Sequence, residues 1–464
     1  MIPVVSYAGR TVVVYGLARS GLTAVEALVA GGATAWVWDD RAEARAAAQG
    51  LGGIAIEPGA IVWADVAALV LSPGVPLTHP TPHPIVVAAQ GAGVPIIGDV
   101  ALMMQSIPRD QGIKVLGITG TNGKSTTTAL LGHILKTAGL PTHVGGNIGL
   151  GVLGLPPATP GAHYVLELSS YQLDLMHDDR LDAAVLLNIT PDHLDRHGGM
   201  AGYVAAKRRI FAHQGIGDVA VVGVDDAYGA EICTALMAHK GPEVVPISSR
   251  RMLSRGISVI EGAMYDSRSG RAELVVDVTA APALLGRHNW QNAAAAYAAA
   301  RGMGLRPDVI ANALVNFPGL AHRMENLPTV GGVLFINDSK ATNADAARQA
   351  LSALDRVFWI AGGRAKAGGI EDLRDLFPRI QHAFLIGEAA EDFAQTLGSA
   401  VPHTLCGTMT AAVRAAFEAA KASGQDNPVV LLSPACASFD QYPDFEARGE
   451  DFRRLTAEVK TVMA

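Results

Sequence analysis

Residues Gly117–Thr128 read GITGTNGKSTTT. The apolar run Ile113–Leu116 before them predicts a short strand, and Thr126–Lys136 after them has helical composition. Strand, glycine-rich turn, Lys124-Ser125 and helix make the layout of a phosphate-cradling loop. Gly120 and Gly123 let the backbone bend until several N–H groups face one anion, and the helix beginning near Ser125 adds its positive end. Lys124 can reach terminal phosphates, and the hydroxyl of Ser125 or Thr126 can hold Mg²⁺. The pattern G-x-x-x-x-G-K-[ST] is not met in full, because Ile118 stands where its first glycine belongs. The shorter form T-G-T-N-G-K-S-T still points to a nucleoside triphosphate; the alternative is a tight strand–helix turn with a solvated lysine.

Working outward, 464 residues at roughly 150 per domain suggest about three domains. Hydrophobic residues make up 49%, enough for a sizeable core. A net charge of −7 gives no broad basic field, which argues against nucleic acid as a partner. Cys233, Cys406 and Cys436 are few and scattered, as expected of reduced thiols in the cytoplasm. No signal-peptide pattern opens the chain, and the run Ala293–Ala300 is far shorter than the roughly 20 residues of a membrane span. A cytoplasmic protein is expected.

Residues 1–97 predict a first domain. Thr11–Tyr15 is a strand, Gly16–Gly21 a turn, Leu22–Ala30 a helix, and Ala35–Trp38 a second strand ending in Asp39-Asp40-Arg41. The unit resembles a dinucleotide-binding fold with an acid placed for a ribose, but G-x-G-x-x-G is absent, which disfavours a nicotinamide oxidoreductase. The turn would instead suit a nucleoside diphosphate. Strand Ala67–Leu71 runs into Ser72-Pro73-Gly74, either a ligand loop or a plain structural turn.

Residues 98–318, entered through a polar linker at Gln105–Gln111, carry the phosphate loop. Asn147, in Gly145–Gly149, either bonds a substrate carbonyl or shapes its turn. Strand Tyr164–Leu168 brings Glu167 to its tip, where a Mg²⁺ ligand or an ordinary rim charge would stand. Strand Ala183–Asn188 delivers Thr190-Pro191-Asp192-His193-Leu194-Asp195-Arg196, and His193 between two aspartates reads as a site residue. Lys207, first of three cations in the helical stretch Tyr203–Ile210, is by itself most simply a solvated face. His288–Asn292 opens an alanine-rich helix whose amides serve a purine or cap the helix.

Residues 319–464 predict a third domain. Strands Val333–Asn337, Val357–Ala361 and Val429–Leu432 hand over to Asp338–Asn343, Gly362–Lys366 and Ser433–Asp440, the layout of an open α/β sheet with one functional edge. Polar groups converging from three α/β domains suggest a cleft enzyme that closes on its substrates. A regulatory nucleotide-binding protein is the rival from another class, and it leaves Glu167, the D-H-L-D-R stretch and the last domain unexplained.

Taken in order, T-G-T-N-G-K-S-T, E-L-S-S-Y-Q-L, N-I-T-P-D-H-L-D-R, H-N-W-Q-N, A-H-R-M-E, N-D-S-K-A-T-N and L-S-P-A-C-A-S-F-D-Q resemble the Mur ligase family of ATP-dependent amide-forming enzymes. The resemblance spans the whole chain. It implies a Rossmann-like N-terminal domain, a central P-loop ATPase-type domain with a mostly parallel sheet, and a C-terminal Rossmann-like domain. Within the family, the Rossmann-like N-terminal domain with E-L-S-S-Y-Q-L and S-P-A-C-A-S-F-D-Q implies UDP-N-acetylmuramoyl-L-alanine and D-glutamate as substrates, the nearest rival being a ligase of the same family that adds a different amino acid to a different acceptor; ATP with two Mg²⁺ sites and a monomer are implied as well. Gly120, Thr121, Asn122, Gly123, Lys124, Ser125 and Thr126 would hold the ATP phosphates, with Asn292 on adenine and Arg323 and Asp338 on ribose and phosphates. Ser125, Glu167, His193 and a Lys207 carbamylated by CO₂ would ligate metal, with Lys124, His193 and Lys207 catalytic. Leu17, Ala18, Arg19, Asp40, Arg41, Ser72, Gly74 and Asn147 would hold the nucleotide-linked substrate. Lys340, Thr342, Lys366, Ser438 and Phe445 would surround D-glutamate. One departure stands out: Arg364 occupies a place where related enzymes often carry an acid.

Overall fold

The computed structural model describes residues 1–284, 286–365 and 368–462. Its chain divides into two compact units, one of Met1–Ala280 with Arg287–Phe317 and the other of Ala281–Gly286 with Pro318–Ala464. Both are mixed α/β with largely parallel sheets.

The first unit holds two sheets. Strands β1 (Thr11–Tyr15), β2 (Thr34–Trp38), β3 (Ile54–Ala55), β4 (Val66–Leu71) and β5 (Ile96–Ile97) lie parallel in the order β3-β2-β1-β4-β5. Val12, Val13 and Val14 are buried, as the continuous apolar run of a strand covered on both faces requires. The helix after β1 spans Arg19–Ala30, so the turn is shorter than the expected Gly16–Gly21. Gly21 explains the early start: a Cβ there would lie 2.0 Å from the Gly16 carbonyl oxygen, and only glycine lets the helix begin against the strand end. The expected linker Gln105–Gln111 is largely ordered, with a helix over Asp99–Ser106 and a 3₁₀ turn over Arg109–Gln111.

The second sheet contains β6 (Lys114–Thr119), β7 (Thr142–Gly146), β8 (His163–Glu167), β9 (Ala183–Leu186), β10 (Val219–Gly223), β11 (Glu243–Ser248), β12 (Ile257–Ile260), β13 (Ala263–Asp266) and β14 (Glu273–Asp277). Their order is β14-β13-β12-β11-β10-β9-β6-β8-β7, antiparallel only from β12 to β14. Val115, Leu116 and Ile118 of β6 are fully buried, and burying each such side chain contributes about 1.5–3 kcal/mol. Helix Arg287–Gly302 is buried throughout Ala293–Ala300, where the alanines on either side of the buried Tyr297 let a helix lie close to its neighbours.

The other unit has one sheet, of β15 (Glu325–Asn326), β16 (Leu334–Asn337), β17 (Val357–Gly362), β18 (Ile380–Ile386), β19 (His403–Gly407) and β20 (Val429–Leu432). The order is β15-β16-β20-β17-β18-β19, parallel except for β15. Among the described residues no helix is long and apolar enough to cross a membrane.

Candidate functional site

Strand β6 lies between β9 and β8, with Ile118 opposite Glu167 and Thr119 opposite Leu186. Sequence order reverses here, and open α/β sheets bind ligands beyond the carboxyl ends of strands at such a point. Three loops therefore leave from adjacent strand tips: the phosphate loop, the loop after Glu167, and the loop containing His193.

The phosphate loop begins at Gly120 and turns through Gly123, whose φ of +84° places it immediately before helix Lys124–Thr137. Thr126 is buried in the first turn, and Ser125 is partly exposed. Lys124 Nζ donates to the carbonyls of Gly120 at 2.9 Å and Thr121 at 2.8 Å, so its ammonium is held over the loop. Thr121 N donates to the Asn188 carbonyl, and Asn122 N to Asn188 Oδ1. Asn292 is buried against the loop: a Cβ on Gly123 would lie 2.2 Å from Asn292 Oδ1.

Glu167 is 3% exposed. Its Oε1 accepts from Asn147 Nδ2 at 2.9 Å, and its backbone carbonyl accepts from Asn147 N. Glu167 Oε2 is buried with no hydrogen-bond partner among the described residues. A carboxylate oxygen left unsatisfied inside a protein costs free energy unless something binds it, and a hard cation such as Mg²⁺ fits that donor. Among the described residues no three histidine, cysteine or carboxylate side chains cluster as a metal-binding group.

His193 has a left-handed backbone (φ +50°) and a half-exposed ring 5.0 Å from that of Tyr171, with Nε2 3.5 Å from Asp192. Lys207 is not on the solvated face that its charge run suggests. It is 1% exposed, and Nζ donates to the Gly120 carbonyl at 2.9 Å. Burial, helped by the charge of Lys124 and opposed by Asp192, lowers its pKa to about 7. A neutral amine at ordinary pH is a nucleophile, which an ammonium is not.

On the first sheet, Leu17 N donates to Asp39 Oδ2 at 2.7 Å, and Arg41 bonds both Asp39 oxygens. Those bonds, the one from the Arg41 side chain foremost, hold the Asp39 carboxyl at about 2. The acid tied to the turn is thus Asp39, beside the Asp40 singled out from the sequence. Ala18 precedes the helix, Arg19 donates to the Gly149 carbonyl, and Ser72 N donates to the Tyr15 carbonyl. Gly74 offers its carbonyl to Arg196.

In the second unit, Asp338 accepts from Ser433 Oγ at 2.8 Å and Met324 N at 3.2 Å. Burial pushes its carboxyl up to about 7 against the opposing pull of the Ser433 bond and of Arg323. Lys340 Nζ lies 3.9 Å from the Phe445 ring centroid, a cation–π contact. Thr342 N donates to the Lys340 carbonyl, and Ser438 is buried. Arg448, missed in the sequence, is 1% exposed; it donates to Ser339 and to the Cys436 carbonyl, and its Nη1 is buried without a partner among the described residues. Arg364 forms a two-point ion pair with Glu388. Lys366 lies outside the described residues.

Residues 118–300 match the Mur ligase middle domain, and residues 322–436 match the Mur ligase, glutamate ligase domain. The UDP-N-acetylmuramoylalanine–D-glutamate ligase of Caulobacter vibrioides is 56% identical over 98% of this chain and 97% of its own. That of Paramagnetospirillum magneticum is 50% identical over 98% of both. Among solved structures, UDP-N-acetylmuramate-alanine ligase from Thermotoga maritima shares the fold at a TM-score of 0.59 and 17% identity, covering 97% of this chain and all (100%) of that one.

Proposed function

The chain belongs to the Mur ligase family, and we propose that it joins D-glutamate to UDP-N-acetylmuramoyl-L-alanine at the expense of ATP, in the cytoplasmic assembly of peptidoglycan precursors. One observation supports the reading above the rest. A phosphate loop and a buried carboxylate with an unspent oxygen stand at adjacent strand tips, and a buried lysine poised to lose its proton bonds the Gly120 carbonyl of that loop.

In the first step a carboxylate oxygen of the terminal L-alanine attacks the γ-phosphorus of ATP, the bond to the bridging oxygen breaks, and ADP departs. The D-glutamate amine then attacks the acyl carbon and loses a proton. Collapse of the tetrahedral intermediate breaks the carbon–oxygen bond and releases phosphate. Lys124 and the N–H groups after Gly120 neutralise and orient the phosphates through both steps. Lys207 first loses a proton to become the neutral amine, which adds CO₂ and releases a second proton, so that a buried cation becomes a carboxylate. Asn147 orients Glu167 and thereby aims its free oxygen. Ser125, Glu167, His193 and the carbamate would hold two Mg²⁺ ions, which supply neutralisation of the phosphate and acyl-phosphate charge when bound. His193 is given no role as general base.

We assign the nucleotide-linked substrate to residues 1–97, ATP to 98–318 and D-glutamate to 319–464. Asn292 would meet adenine, and Arg323 and Asp338 the ribose and phosphates. Lys340, Thr342, Lys366, Ser438 and Phe445 would surround D-glutamate, whose two carboxylates need cations and N–H donors. The Arg364–Glu388 pair leaves that stretch close to neutral, since each charge has its opposite beside it.

The test is phosphate release from ATP and Mg²⁺ with UDP-N-acetylmuramoyl-L-alanine and one amino acid at a time. Release that requires D-glutamate, ignores L-glutamate and yields a new amide by mass is expected. Release with another amino acid would reassign the third domain's pocket, and release with neither acceptor nor amino acid would make the chain a nucleotide-driven regulator.

A further inference from the structure

We propose that Arg196 is a positioning residue that ties the Ser72–Gly74 loop of the first sheet to the His193 loop of the second, so that seating the nucleotide-linked substrate also sets the metal loop. The inference rests on the ligase reading above and names a residue to which that reading gives no part.

Arg196 Nη1 donates to the Gly74 carbonyl at 3.0 Å, across 122 residues of sequence. Its guanidinium carbon lies 4.9 Å from the Tyr171 ring centroid. Tyr171 in turn stands 5.0 Å from the His193 ring and stacks on His197 at 5.4 Å and 12°. His197 is fixed at both nitrogens, Nδ1 lying 3.1 Å from Asp174 and Nε2 2.9 Å from Ser170 Oγ. Both partners sit on the short helix Ser170–Asp174 that follows Glu167. On its other side His197 meets Tyr203 at 5.5 Å. The Tyr203 hydroxyl lies 3.1 Å from Thr121 Oγ1, and Lys207 Nζ is 4.7 Å from the Tyr203 ring centroid. A guanidinium and a row of rings thus run without a break from the substrate loop to the phosphate loop.

A salt bridge would do for stability alone. Arg196 instead gives one guanidinium N–H to a loop carbonyl and lays its guanidinium over a ring, two contacts that fix angle as well as distance. Its Nε is buried with no hydrogen-bond partner among the described residues, a donor still to be satisfied at the junction of the two loops.

The experiment compares Arg196→Met, which keeps the apolar stem, Arg196→Lys, Tyr171→Leu and Tyr171→Phe in the full chain. Arg196→Met is expected to raise KM for UDP-N-acetylmuramoyl-L-alanine at least tenfold and to lower kcat, with ATP affinity by direct binding changed less than twofold. Arg196→Lys should restore part of the loss and Tyr171→Phe nearly all of it. Because the contacts act in series, Arg196→Met with Tyr171→Leu should be no worse than the worse single variant. A nucleotide-sugar KM within twofold of wild type in Arg196→Met, or losses that simply multiply in the double variant, would overturn the proposal. Hydrogen exchange gives a readout free of turnover: Arg196→Met should speed exchange in residues 72–75 and 190–194 together, and a change in one loop alone refutes the coupling. If the wild type makes no amide, the ligase reading fails, and the exchange experiment still decides the coupling.

Discussion

Lys207 offers the sharpest test of the chemistry. An ordinary lysine with a pKa of 10.5 is neutral in only about 3 molecules per 10,000 at pH 7, whereas a pKa of about 7 leaves roughly half neutral. The gain in nucleophilic amine is therefore about a thousandfold, before any help from orientation. Labelled bicarbonate should leave a carbamate signal on Lys207 by ¹³C NMR, rising with pH around a midpoint near 7. The sign for stability follows from proton counting. The folded-state pKa lies below that of the unfolded chain, so between about 7 and 10.5 the unfolded state binds more protons and stability rises with pH. Below 7 the buried ammonium carries its full penalty, roughly 5 kcal/mol as a ceiling at about 1.4 kcal/mol per pH unit. Lys207→Met should accordingly be more stable than wild type at pH 6 in urea denaturation without CO₂, with the difference shrinking toward pH 10, and should be inactive. Lys207→Arg should also be inactive, since a guanidinium stays charged. An uptake midpoint near 10, label elsewhere than Lys207, or an active Lys207→Arg enzyme would refute the reasoning.

Three further outcomes follow from the same geometry. Glu167→Gln should lower kcat at least a hundredfold and raise the Mg²⁺ concentration needed for half-maximal rate, while Tm stays within a few degrees; an unchanged Mg²⁺ requirement would remove Glu167 from the metal site. Gly123→Ala combines a φ of +84° with a Cβ 2.2 Å from Asn292 Oδ1, so it should abolish ATP binding measured by calorimetry, and near-normal affinity would mean that the loop relaxes freely. Asp338, raised to about 7 when folded, binds a proton that the unfolded chain lacks between about pH 4 and 7, so stability contributed there falls as pH rises through that window. Asp338→Asn should flatten this slope in urea melts from pH 4 to 8 and gain at most about 4 kcal/mol above pH 7, by the same per-unit conversion.

Much of the fold could be read locally. The runs Thr11–Tyr15 and Val429–Leu432 are strands with the expected bounds, because a parallel strand covered on both faces writes itself as consecutive apolar residues. The phosphate loop was legible for a similar reason, since glycine, lysine and hydroxyls within eight residues do the work of one small site. Helix starts were less legible. The helix at Arg19 begins inside an apparent turn because of how Gly21 meets Gly16, a clearance that only the folded backbone defines.

What the sequence hid depends on strand order. Lys207 looks like one cation among three, and only the packing of helix Met200–Arg208 beneath the phosphate loop separates it from its solvated neighbours. Asn188 is one amide after an apolar run, yet its two side-chain atoms hold the backbone of Asn122, 66 residues away. Arg196 closes D-H-L-D-R and reads as a charge on a loop, while its partner, the Gly74 carbonyl, belongs to another sheet and carries no side-chain signature. Backbone carbonyls and N–H groups are present at nearly every residue, so a sequence cannot mark which of them a side chain will choose. Lys124 and Glu167 were therefore singled out by residue type and place in the chain, whereas the burial of Lys207 and the side chains that aim these candidates became visible only once β6, β8 and β9 stood side by side.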